Sequence, residues 1–128
     1  MPLSDIDIIK YKKLYLETAK NYLENMQLNI SFLLKGEQIK NAIKQVHIDA
    51  HSLKSQSKIM GYENFATLTE IIEYLFNKEE KENIIMPNDL LIKIQSDITG
   101  LMDSLKEIEQ TGKELDLSAS IIELEKFK

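Results

Sequence analysis

A chain of 128 residues is one domain by length, and 43% apolar with 29% charged residues is the balance of a folded globular protein rather than a disordered one. The net charge is −5 and all 16 basic residues are lysine; nucleic-acid binding, which runs on dense positive charge and the bidentate reach of arginine, is therefore not expected. There is no cysteine, hence no disulfide framework and no thiolate metal site, which fits a reducing cytoplasm. No apolar run approaches the ~18 residues of a membrane span, and the opening MPLSDID lacks the cationic and apolar parts of a signal peptide, so no membrane insertion is expected.

The elements follow from sparse punctuation. Proline occurs only at Pro2 and Pro87, and glycine only at Gly36, Gly61, Gly100 and Gly112, which predicts few, long elements. The first runs from about Ile6 to Leu34, where Leu16, Ala19, Leu23, Met26, Ile30 and Leu33 alternate steps of three and four and make one stripe on a helix. Lys35 and Gly36 form a plausible stop. The second runs from about Gln38 to Met60 with the stripe Ile39, Ile43, Val46, Ala50, Leu53, Ser57 and Met60, closed by Gly61.

A third helix is predicted from Tyr62 to about Glu79, with Phe65, Leu68, Ile72 and Leu75 inward. The charged stretch from Asn77 to Met86 loses its period and reads as a loop. Pro87 suits the first position of a fourth helix. That helix carries Leu91, Ile94, Ile98, Leu101, Leu105 and Ile108 and ends at Thr111–Gly112. Gly100 within it costs about 1 kcal/mol relative to alanine and leaves room for close packing. A short fifth helix spans about Ser118 to Phe127. No strand pattern appears, and four glycine or proline breaks disfavour an extended coiled coil. The expected fold is all-α: an antiparallel up-down four-helix bundle with a short fifth C-terminal helix, as one domain over residues 1–128.

The second helix holds the chemistry. At 100° per residue, a row roughly 100° from its core stripe contains Lys40, Lys44, His47, His51, Lys54 and Lys58, a basic ribbon on an acidic protein. Such a row is either a solvated lysine face or a place that welcomes phosphate. Opposite the core, beside His51, lie Ile48, Ser55 and Ile59. Outward isoleucines are either covered by the fifth helix or belong to a docking surface. His47 and His51 have the i, i+4 spacing of a zinc pair, but no third histidine or cysteine completes a site, and no metal is expected.

Residues 50–61, AHSLKSQSKIMG, resemble the signature of histidine-containing phosphotransfer (HPt) domains, A-H-x-L-K-G followed by a later glycine. The longer pattern, with YKKLYLETAKNYLENM in the first helix and GYENFATLTEIIEYL entering the third, is similar to the amino-terminal phosphotransfer domain of CheA-type chemotaxis kinases. The resemblance implies that His51 is the phosphoacceptor, Lys54 a phosphate-stabilising cation, and Glu73 the carboxylate that orients the histidine, with Glu70 in reserve. It implies a phosphoryl carrier of a two-component phosphorelay, not an enzyme and without cofactors. Its partners would be a histidine kinase catalytic domain and a response-regulator receiver domain, docking over Ile48, Ser55, Lys58 and Ile59. Position 55 departs from the family, which usually has glycine there; serine keeps open a second reading, an unphosphorylated docking or scaffold module on the same fold. His47, bulky and apolar in the family pattern, is expected to pack at the core edge.

Overall fold

Apolar residues spaced by three and four leave each helix one face to bury, and the glycine stops let the chain reverse so that these faces meet. In the computed structural model, which describes residues 5–128, the elements are α1 (Asp5–Leu34), α2 (Ile39–Met60), α3 (Glu63–Glu82), α4 (Asn88–Thr111) and α5 (Ser118–Glu125). Residues 1–4, part of the stretch read for a leader, lie outside the described residues. The first four helices form a ring in which α1 packs on α2 and α4, and α3 packs on α2 and α4. The short α5 lies on α3 and α4. No strand is present among the described residues, and no helix is long and apolar enough to cross a membrane. The antiparallel four-helix bundle with an appended fifth helix is thus the observed architecture.

The turn between α2 and α3 sets the register of the site. Gly61 takes the left-handed conformation (φ 83°), and two backbone bonds close the helix end, Gly61 N–H to Lys58 O and Tyr62 N–H to Ser57 O. This is the Schellman arrangement, which glycine enters without the penalty a Cβ would bring. The chain therefore turns back within two residues, and α3 runs antiparallel against α2. Its N-terminus is held from a distance: Glu114, in the connection after α4, accepts the backbone N–H of Phe65 at 2.8 Å and of Asn64 at 3.3 Å. A carboxylate there satisfies orphan donors and opposes the positive end of the helix dipole.

The stripes read from sequence form the core. Ala19, Leu23, Met26, Ile30, Val46, Ala50, Leu53, Phe65, Leu68, Ile72, Ile94, Ile98, Leu101 and Ile108 are all fully buried. Three details differ from expectation. Leu16 and Leu33 of α1, and Ile39 and Met60 at the two ends of α2, sit half-buried at the rim, while Tyr15 is buried, because its hydroxyl finds Ser57 Oγ at 2.8 Å and its ring packs against Tyr62 and Phe65. The helix α3 continues through the charged run to Glu82 instead of fraying into a loop from Asn77. Phe76 and Glu79 point inward there, Glu79 Oε2 accepts the Met86 N–H at 2.7 Å, and Asn83 ends the helix in the left-handed conformation. Pro87 is the N-cap of α4, one residue before the position assigned to it.

Candidate functional site

Because α2 and α3 are antiparallel, the basic ribbon of α2 faces a row of carboxylates on α3. His51 Nδ1 lies 2.7 Å from Glu73 Oε1. Lys54 Nζ lies 2.7 Å from the other oxygen of the same carboxylate. Lys58 Nζ meets Glu70 Oε2 at 3.6 Å, and His47 Nδ1 meets Glu80 Oε2 at 3.2 Å. The ribbon is neither a free lysine face nor an open phosphate sink: four of its six members are paired across the helix interface.

The geometry fixes a tautomer. Burial alone would raise the Glu73 carboxyl, but hydrogen bonds from Lys54 and His51 and their charges outweigh it and hold the group below its ordinary value. Glu73 is thus an ionised acceptor near neutrality, so the hydrogen at the contact sits on His51 Nδ1. In the neutral ring the lone pair is then on Nε2. The imidazole itself is the exposed member of the group, with 61% of its side-chain surface open against 14% for Glu73 and 18% for Lys54. A nucleophilic nitrogen on an open face, backed by a carboxylate that is itself anchored, is the arrangement of an activated histidine.

Ser55 sits one turn past His51, and its hydroxyl donates to the His51 carbonyl at 3.1 Å. That bond turns the polar end back onto the helix, so the departure from glycine adds little more than a methylene beside the ring. Ile48 and Ile59 are exposed, at 45% and 84%. Since α5 packs on α3 and α4 and not on α2, the fifth helix does not cover them. His47 is mostly enclosed, and it engages Glu80 instead of only filling space at the core edge.

A family model, the Hpt domain, matches residues 10–111. The chain belongs to the Hpt family. With the family goes a phosphotransfer role, that of a phosphocarrier rather than a catalyst. A solved structure, the phosphorylated P1 domain of CheA3 in complex with CheY6 from R. sphaeroides, superposes with a TM-score of 0.84 at 16% identity, over 92% of this chain and 94% of that one. It is similar in fold.

Sequence reasoning about this Hpt domain missed a neighbouring apolar surface. Tyr11 and Leu14 of α1 are exposed and, with Ile59 and Met60 of α2, line a shallow cavity of about 260 Å³. The signal was present in Ile8, Tyr11 and Leu14, apolar positions off the core stripe of α1. The Glu80 partner of His47 and the Glu114 cap were missed as well. Neither is visible along the chain, because each joins positions more than 30 residues apart.

Proposed function

We propose that this Hpt domain is the phosphoryl carrier of a two-component phosphorelay, charged on His51 by a histidine kinase or a receiver and discharged to a receiver-domain aspartate. The observation that carries the reading is the 2.7 Å contact of His51 Nδ1 with a carboxylate itself anchored by Lys54. In the charging step, the Nε2 lone pair attacks phosphorus and the bond to the leaving oxygen breaks, on ATP or on an aspartyl phosphate. The Nδ1 proton stays on the ring against Glu73, whose charge stabilises the positive ring as it forms. Lys54, one turn along from His51, can offer its remaining donors to phosphoryl oxygens. The residues on the far side supply docking: Ile48 and Ile59 as apolar anchors, Ser55 as the small residue that leaves the ring approachable, and Lys58 as a charged border. Receiver partners are supported by the similar P1 domain, which was solved with a CheY. A kinase of CheA type and a cytoplasmic setting complete the reading.

Incubation with a CheA-type kinase and ATP should place one acid-labile, base-stable phosphoryl group on His51, mapped by mass spectrometry. That label should be lost in His51→Gln and kept in His47→Gln. A chain that takes no label from any kinase or phosphorylated receiver, yet still binds one of them through Ile48 and Ile59, would instead be the unphosphorylated docking module.

A further inference from the structure

The contact that prepares His51 has a counterpart one turn toward the N-terminal end of α2 in the ribbon. His47 Nδ1 is 3.2 Å from Glu80 Oε2, so a carboxylate again holds the Nδ1 proton and leaves the Nε2 lone pair unengaged by protein. A second observation is independent of that contact. Among the described residues, Lys40 and Lys44 are the members of the ribbon with no carboxylate partner, although Lys54 and Lys58 both have one. Together with Glu79, Glu80 and the exposed Ile84 and Ile85, these two lysines line a groove of about 680 Å³ that reaches the partner carboxylate of His47, while His47 itself stands just outside the lining. Lys44 stands three residues before His47, so it lies about one turn away on the same face, on the N-terminal side where Lys54 lies on the C-terminal side of His51.

The two histidines differ in what can reach them. The side chain of His47 is 26% exposed, less than half the openness of His51. The active site of a folded partner needs an open face, whereas a small phosphoryl donor needs only the part of the ring that is open to solvent. We propose that His47 is a second phosphorylation site, charged on Nε2 by a small phosphoryl donor, an acyl phosphate or a phosphoramidate, with Lys44 as the neighbouring cation. This goes beyond the role of His51 and does not depend on a kinase. With phosphoramidate the Nε2–P bond forms as the P–N bond breaks, and the nitrogen leaves as ammonia with the hydrogens it carries in the zwitterion. The Nδ1 proton stays in its bond to Glu80.

The test uses the whole chain and phosphoramidate, followed by intact-mass spectrometry and by NMR of the ring nitrogens to identify the phosphorylated atom. The wild type should gain two phosphoryl groups, and His47→Gln and His51→Gln one each. The group on His47 in His51→Gln should sit on Nε2. Glu80→Gln in the His51→Gln background should divide the product between the two ring nitrogens, and Lys44→Ala should slow uptake several-fold. No phosphoryl group on His47 in the folded His51→Gln protein would overturn the proposal. So would a product already divided between the nitrogens while Glu80 is intact. Neither result touches His51, whose labelling by kinase is read separately in His47→Gln.

Discussion

Asp49 is a carboxylate in the wrong place, and its removal tests how the interior of α2 is charged. It is 8% exposed, flanked by the fully buried Val46, Ala50 and Leu53, and it makes no hydrogen bond or ion pair. Burial alone pushes its carboxyl up from 3.8 to about 6. A folded value above the unfolded one means the native state prefers the protonated form. The native state is therefore most favoured below about pH 4, loses that preference as pH rises toward 6, and stays at the lower level above it. About two units would correspond to ~3 kcal/mol for a fully desolvated group, and the water that still reaches the carboxyl screens the penalty at neutral pH to roughly half of that. Replacing the carboxylate with an amide removes the charge but still buries a polar group, so Asp49→Asn should stabilise by about 1–2 kcal/mol at pH 7.5. In a chain of this size that is a rise in Tm of roughly 4–8 °C. Near pH 4, where aspartate is itself neutral in the fold, the two proteins should melt together. Thermal unfolding followed by circular dichroism at both pH values decides it. Equal Tm at pH 7.5, or an advantage that persists undiminished at pH 4, would refute the desolvation argument. Subtracting wild type from variant cancels the similar contribution of Glu79, also pushed up by burial to about 7, and the opposite one of Glu73.

Glu73→Gln should slow phosphoryl uptake by His51 on the order of 10²-fold, and the ring-nitrogen shifts of His51 should report a mixture of tautomers where the wild type shows one. Ile48→Asp or Ile59→Asp should weaken binding of a cognate receiver or kinase domain by about 1–3 kcal/mol with an unchanged melting temperature, whereas Lys58→Ala should cost less and fade with added salt; calorimetry at two salt concentrations separates them. Glu114→Gln should lower stability by about 1–2 kcal/mol in denaturant titrations, because the two N–H groups at the start of α3 lose a charged acceptor. Gly100→Ala should raise stability by up to about 1 kcal/mol, since a Cβ there meets only Leu117 at an ordinary 3.9 Å; a loss of stability would show that α4 packs more tightly than this.

What could be read along the chain was whatever a single helix records of its own surroundings. The stripes of α2 and α4 name the core because burial repeats with the helical turn, and Gly61 marks the turn because few other residues enter the left-handed region freely. The same wheel exposed Ile48 and Ile59, since a position opposite the core has nowhere to hide unless another element covers it. What could not be read was every partnership that depends on the register between two helices. Whether Glu73 or Glu70 meets His51 turns on a shift of one helical turn along α3; the resemblance preferred Glu73, and the wheel agreed by turning Glu70 further into solvent, but neither fixes the register. The length of the α2–α3 turn decides it, by setting Glu73 against His51 and passing Glu70 to Lys58. The charged run after Asn77 failed for the same reason. Seen along the chain, Lys78–Glu82 is a loop-like polar stretch; seen in three dimensions, Glu79 turns inward to take the Met86 N–H, and the turn it anchors lets α3 run on to Glu82. Ser57 is a small polar residue on a core stripe until Tyr15 arrives from 42 positions away to share its hydroxyl. Local patterning therefore specifies which face of each helix is inside, while the chemistry of the site lies in the seams between helices. In this bundle the α2–α3 seam is the one that carries histidines, lysines and carboxylates together, and that is why its register matters more to function than the extent of any single helix.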